Sequence, residues 1–247
     1  MTEPQVVIAE SASELANDVA RRLIALITET LEEHSSFHLA VTGGSILEQV
    51  FAALAAADSS AVAWPRVHVW WGDERFVDRD SSDRNDRAAM QAGLGTLPFD
   101  PVDVHPMPAV VRGYGDDPEF AAASYAGQLA AAAQDGKVLR LNVVLLGIGP
   151  DGHCASLFPH HVALDVAETV IAVRDSPKPP PTRITLGYPM LGAARQVWFI
   201  ASGEGKADAV GKALGGADFH EVPSARPRGT DATLWLIDRA AAANLPS

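Results

Sequence analysis

The chain has 247 residues, 47 % of them hydrophobic, with a single cysteine and a formal net charge of −12. That length and hydrophobicity suit a globular domain with a sizeable core and exclude a disordered chain. One cysteine, Cys154, excludes an internal disulfide framework and fits a reducing compartment. The acidic balance disfavours non-specific nucleic-acid or membrane binding. It leaves an anionic small substrate open, because charges beyond about 8–10 Å are screened and a few cations in a cleft act locally. No apolar run reaches the roughly 20 residues of a membrane-spanning helix, and Met1 to Gln5 lacks the basic, then apolar pattern of a leader. The expectation is a cytoplasmic protein with no membrane and no nucleic-acid partner, monomeric or weakly homo-oligomeric.

In chain order, Gln5–Ala9 reads as a first strand. Ser11 or Ser13 is placed to cap a helix with Leu15, Val19, Leu23 and Leu26 at helical spacing. Phe37–Val41 is a second strand, followed by Thr42-Gly43-Gly44-Ser45 and a helix carrying Leu47, Val50, Phe51 and Leu54. Val67–Trp71 is a third strand, ending in a loop Gly72-Asp73-Glu74-Arg75. The polar stretch from Asp78 to Arg87 opens into a short helix, Val102–His105 is a short strand, and Glu119–Ala133 is helical. Leu141–Leu146 is the clearest buried strand. It feeds Gly147-Ile148-Gly149-Pro150-Asp151-Gly152-His153. Further strands are expected at Thr169–Val173, Gln196–Ile200 and Thr233–Ile237, with a helix after Ser202–Lys206.

Strand, glycine-bearing loop and helix in repeated alternation predict an α/β fold with a mainly parallel sheet. There is no internal repeat or low-complexity linker, so residues 1–247 are read as one domain, with Pro177–Pro181 as a stiff site loop.

In such a sheet, ligands bind at the carboxyl ends of the strands. Thr42-Gly43-Gly44-Ser45 lets the backbone approach a ligand and aims a helix N-terminus at it, which suits a phosphate; a plain strand-to-helix turn capped by Ser45 is the alternative. The segment is neither a Walker A loop nor GxGxxG. Asp73-Glu74-Arg75 is either a surface ion-pair cluster or a site in which Arg75 binds an oxyanion and Asp73 holds a base or a sugar hydroxyl. His153 has the side chain whose ordinary pKa, about 6.5, best suits acid–base work near neutrality. Asp151, two residues earlier, is the carboxylate expected to orient it; whether the two meet stays open. Cys154 is read as a small buried thiol. No CxxC or HExxH supports a metal, and His160 and His161 are adjacent, so their side chains point apart. Arg174, Lys178, Arg183 and Lys206 fall in or near strand-end loops, and Lys206 opens a helix, where an anion explains a cation better than the helix dipole does.

Taken together, Val41–Ser45, Trp71–Arg75, Gly147–Pro159 and Ser176–Thr185 resemble the glucosamine-6-phosphate isomerase/6-phosphogluconolactonase superfamily. The resemblance runs from about Thr42 to Lys206. It implies a Rossmann-like, doubly wound fold with helices on both faces. It also implies hydrolysis of 6-phospho-D-glucono-1,5-lactone to 6-phosphogluconate, without cofactor or metal. Carried over residue by residue, His153 is the base that activates water, Asp151 its partner, and Arg75 a stabiliser of negative charge. Thr42, Gly43, Gly44, Ser45 and Lys206 hold phosphate, with Asp73, Lys178 and Arg183 as further substrate contacts. The related deaminases carry an acid shortly after the histidine loop; here that place holds Leu157-Phe158. An amino-sugar isomerase/deaminase and a non-catalytic sugar-phosphate-binding module are the rival readings. The second would come with a DNA-binding segment, for which Met1 to Ala9 is too short.

Overall fold

The computed structural model describes residues 3–111, 115–133 and 138–246. Seven parallel strands form the main sheet: β1 (Pro4–Ala9), β2 (Phe37–Val41), β3 (Val67–Trp71), β5 (Val104–His105), β6 (Val143–Gly147), β9 (Gln196–Ala201) and β10 (Ala232–Asp238). Their order is β1-β10-β9-β6-β2-β3-β5. All seven strands expected for this sheet lie within two residues of the observed bounds; the fourth, expected over Val102–His105, is shorter because Pro101–Asp103 forms a 3-10 turn.

Every residue of β2 is buried, as are the first four of β6. Their unbroken apolar runs fit strands covered on both faces. At one edge, β1 leaves Val6 and Ile8 partly exposed. The helices α1 (Ala12–Glu33), α2 (Ser45–Ala56), α3 (Asn85–Ala92), α4 (Pro118–Ala132), α5 (Tyr188–Ala193) and α6 (Ala207–Leu214) cover the sheet. α1 starts where Ser11 Oγ accepts from the Glu14 amide, which settles the choice of cap in favour of Ser11. Its buried stripe is Leu15, Val19, Leu23 and Ile27; Leu26, expected in that stripe, lies one position aside and is only half-buried. At α4, Asp117 caps the Glu119 amide and Pro118 takes the first turn.

One feature departs from the sequence reading. Asp73–Arg75 is not a loop but strand β4, and it pairs antiparallel with β8 (Arg183–Leu186), which pairs in turn with β7 (Val170–Val173). This second, three-stranded sheet springs from the carboxyl end of β3 through Gly72. The Gly72 amide donates to Val41 O (2.7 Å) and its carbonyl accepts from Leu186 N (2.8 Å), so the two sheets are stitched at that residue.

In the main sheet, β2 leads outward to β3 and β5, whereas β6, β9, β10 and β1 lie on its other side. Between β2 and β6 the order reverses. Both strands deliver their glycine-bearing loops to this crevice, the place where an open α/β sheet binds ligands.

Candidate active site

A cleft of about 390 Å³ opens at that crevice. It is lined by Thr42–Ile46 and Gln49 from the β2–α2 turn, by Gly147–Pro150 and His153 after β6, by Ser202 and Lys206 after β9, and by Asp73, Arg75, Lys178 and Arg183 from the small sheet. Residues distant in sequence thus meet at one place, and every expected site residue but one is among them. Asp151 is the exception: it stands behind His153.

The β2–α2 turn works by backbone. Gly44 has φ +127°, a conformation that side-chain-bearing residues rarely adopt, and it precedes a 12-residue helix with no side-chain cap. Ser45 is therefore the first helical residue and does not cap it. The first-turn amides face the cleft end of the helix without a side-chain cap, with the positive end of the helix dipole behind them. Thr42 differs from expectation. Its buried hydroxyl donates to Leu145 O (3.1 Å) and accepts from Gly147 N (3.1 Å), so it splices β2 to β6 and is not spare for an anion.

His153 sits at the end of the β6 loop with its ring tilted against Phe158, centroids 4.8 Å apart. Its Nδ1 lies 2.5 Å from Asp151 Oδ1, so the open question about this pair is answered by contact. Lys178 Nζ also lies 3.1 Å from that nitrogen; with the Nδ1 proton donated to the carboxylate, the Nε2 lone pair has no protein partner among the described residues. Half-burial works against the charge on Asp151. Hydrogen bonds from His153 and from Lys178 Nζ (3.1 Å) nevertheless hold its carboxyl well below the usual carboxylate range. Gly149 makes this geometry possible: a Cβ there would lie 1.9 Å from His153 Nδ1 and 2.3 Å from Asp151 Oδ1. The Gly149 amide, a candidate oxyanion donor, is already spent on His153 O (2.9 Å). Cys154 is fully buried, and burial followed by the Asp73 charge pushes its thiol far up, as expected of an inert side chain.

The opposite side is cationic. Arg75 Nη1 donates to Asp83 O (2.8 Å) and to Asn85 Oδ1 (2.6 Å), leaving Nη2 without a hydrogen bond among the described residues. Asn85 Nδ2 in turn donates to Asp73 O (3.0 Å). Asp73 itself accepts from Ser156 Oγ (2.8 Å), so its carboxylate braces the histidine loop as well as lining the cleft. Arg183 is 4 % exposed; its Nε donates to Pro180 O (2.8 Å) and its Nη2 to Lys178 O and Pro179 O (both 3.1 Å). It shapes the proline loop that carries Lys178. Burial lowers its pKa, Asp73 raises it and Arg75 lowers it again. Lys206 Nζ donates to Ile148 O (2.7 Å), and burial followed by the Lys178 charge lowers its pKa. Such a cluster of partly desolvated cations favours an anionic ligand.

Two charged residues of these loops that were given no definite role fall elsewhere. Arg174 points away, in a bidentate pair with Glu119 on the surface (2.8 and 2.6 Å). Glu74 is fully buried and turns from the cleft to α3, accepting from the amides of Asn85 (2.6 Å) and Asp86 (2.9 Å). Burial pushes it up to about 7 against the pull of Arg84 and those amides. Asn85, Gln49 and Ser156 were not foreseen. Asn85 lies in the polar run Asp78–Arg87 as the first residue of α3 and carries no signal beyond that. His160 and His161 do point apart, His160 towards Glu221 and His161 towards Arg174 O. Among the described residues the cleft holds no group of three metal-ligating side chains.

The family described as glucosamine-6-phosphate isomerases/6-phosphogluconolactonase matches residues 10–235. The 6-phosphogluconolactonase of Streptomyces coelicolor is 45 % identical, covering 98 % of this chain and 95 % of the relative. That of Mycobacterium tuberculosis is 44 % identical over 92 % of each chain. The solved structure of 6-phosphogluconolactonase from Trypanosoma brucei superposes with a TM-score of 0.83 at 27 % identity, covering 100 % of each chain. By sequence and by fold, the chain belongs to the glucosamine-6-phosphate isomerase/6-phosphogluconolactonase family.

Proposed function

We propose that the chain hydrolyses 6-phospho-D-glucono-1,5-lactone to 6-phospho-D-gluconate, with His153 as general base. The observation that carries this reading is the Asp151–His153 contact at 2.5 Å, made behind an imidazole that lines a cleft with a cationic opposite wall. Nε2 takes a proton from water as the water oxygen adds to the lactone carbonyl. The resulting tetrahedral oxyanion meets Arg75 Nη2 or the Lys178 ammonium. On collapse, the C–O bond to the ring oxygen breaks and the imidazolium returns its proton to that oxygen, so the base is regenerated. General-base catalysis contributes about 10²–10⁴-fold and a positioned oxyanion donor about 10²–10³-fold.

The phosphate is assigned to the first-turn amides of α2, the Ser45 hydroxyl and Lys206, which together anchor the substrate and reject unphosphorylated sugars. Phe158, 1 % exposed and packed on the imidazole, occupies the position where a deaminase needs a carboxylate. This disfavours the amino-sugar reading. The substrate is a small molecule; the chain is read as cytoplasmic and as a monomer or weak homo-oligomer. No described helix is long and apolar enough to cross a membrane.

The deciding experiment is a coupled assay with fresh lactone, corrected for spontaneous hydrolysis. His153→Ala is expected to lose about 10²–10⁴-fold in kcat with its melting temperature retained. Full activity in that variant refutes the base, and ammonia release from glucosamine 6-phosphate by the parent refutes the substrate.

A further inference from the structure

Outside the cleft lining, on strands β2, β3 and β5, histidines gather on one face of the sheet. The register pairs His38 with His68 and Trp70 with His105, so β2, β3 and the edge strand β5 place these side chains in one row. The rings stack: His38 on His68 at 4.4 Å, His68 with His105 at 5.5 Å, and His105 on Trp70 at 3.8 Å.

Three ligand-type atoms converge in this row. His68 Nδ1 lies 3.1 Å from Asp103 Oδ1 and 3.2 Å from His105 Nε2, and all three atoms fall within 4.8 Å of one another. A single proton on His68 Nδ1 serves one neighbour well, whereas a cation between the three serves all of them. The separations suit such an ion, since tetrahedral ligands about 2.0–2.1 Å from zinc stand about 3.3 Å apart. Two imidazoles and one carboxylate form a borderline donor set of the kind that takes zinc-class ions in preference to magnesium or calcium.

The three groups are also held from behind. Tyr125 Oη donates to His105 O (3.0 Å), and Asp103 ends a 3-10 turn begun at Pro101. His38 is not a ligand. Its Nδ1 accepts from Trp70 Nε1 (3.2 Å), which leaves it as a wall that orients the His68 ring. The His68 and Asp103 side chains are 23 % and 20 % exposed, giving an ion access and a water room to bind as a fourth ligand.

We propose that His68, Asp103 and His105 bind one zinc-class divalent transition-metal ion, which clamps the edge strand β5 to β3 and takes no part in hydrolysis. β5 has only two residues in register with its neighbour, so a metal bridge from its last residue to β3 reinforces the weakest edge of the sheet.

The test uses the full chain, stripped with a chelator and titrated with Co²⁺ while its visible ligand-field absorption is read, with Zn²⁺ as competitor. One equivalent of Co²⁺ should develop intense low-symmetry bands that Zn²⁺ bleaches, and Zn²⁺ should raise the parent's Tm. His105→Gln and Asp103→Asn should each weaken uptake by about tenfold or more, and His153→Gln should not. Asp103→Asn should leave kcat and KM for the lactone unchanged. Absence of saturable uptake, uptake unaltered by the site variants, or uptake lost with His153→Gln overturns the site. Altered hydrolysis by Asp103→Asn overturns its separation from catalysis. If His105→Gln does not fold, the partly exposed Asp103→Asn decides alone.

Discussion

The two walls of the cleft are built on different principles. On the parallel-sheet side, the turn at Thr42–Ser45 and the loop at Gly147–His153 present backbone amides and one imidazole, and glycines set their shape. On the antiparallel side, Arg75, Lys178 and Arg183 present long cationic side chains whose forks are pinned by carbonyls and by Asn85. The first wall has little room to adjust, because an added Cβ would lie 2.1 Å from Asn85 Oδ1 at Gly43 and 1.9 Å from His153 Nδ1 at Gly149. The second tolerates change in proportion to how many of its hydrogen bonds survive.

That difference orders the expected effects. Gly149→Ala should be the most damaging, since its Cβ would displace the Asp151–His153 pair. A shift of about 1 Å in a catalytic group costs about 10²-fold, so kcat should fall by that much or more in the coupled assay. Arg183→Lys should cost less, about tenfold in kcat/KM, because an ammonium cannot reach three carbonyls with a planar fork. Should Arg183→Lys prove worse than Gly149→Ala, the contrast between the walls fails. Glu74→Gln tests the support behind the cationic side. An amide there leaves a buried N–H of α3 without its acceptor, at about 1–3 kcal/mol in a urea titration, with a smaller fall in kcat transmitted through Asn85 and Arg75. Arg174→Ala should leave kcat/KM unchanged, since its exposed pair with Glu119 is screened and far from substrate; a measurable loss would return Arg174 to the site.

The same contrast explains what could be read from sequence. The parallel wall announces itself locally: an apolar run such as Val143–Leu146, then glycines, then a polar residue at a known end of a strand. His153, Ser45 and Lys206 were legible for that reason. Of the small sheet only β7 was, expected at Thr169–Val173 and found at Val170–Val173; β4 and β8 were not. Asp73-Glu74-Arg75 has no alternation of apolar and polar residues, and it becomes a strand only because Arg183–Leu186 arrives some hundred residues later to pair with it. Glu74 received no separate role for a related reason, since a charged triplet reveals neither which member turns to the cleft nor which caps a helix. Thr42 looked like a phosphate donor because nothing local shows that Leu145 and Gly147 use its hydroxyl. The His68–Asp103–His105 cluster has the same character. Its spacing matches no metal motif, and only strand register brings it together.

Gly72 joins the walls, and its amide and carbonyl are both committed across the junction. A Cβ there would meet Thr42 Cγ2 at 2.8 Å, so even the packing at this joint is closed. A hinge needs a residue free to change φ and ψ, and at Gly72, where β3 passes directly into β4, there is no such freedom. The mouth of the cleft is thereby set when the protein folds, and the entropy of arranging its cations is lost then and not at each encounter with substrate. For an ester that also opens unaided in water, such readiness shortens the interval between collision and turnover, the one quantity in which a catalyst can outpace the solvent.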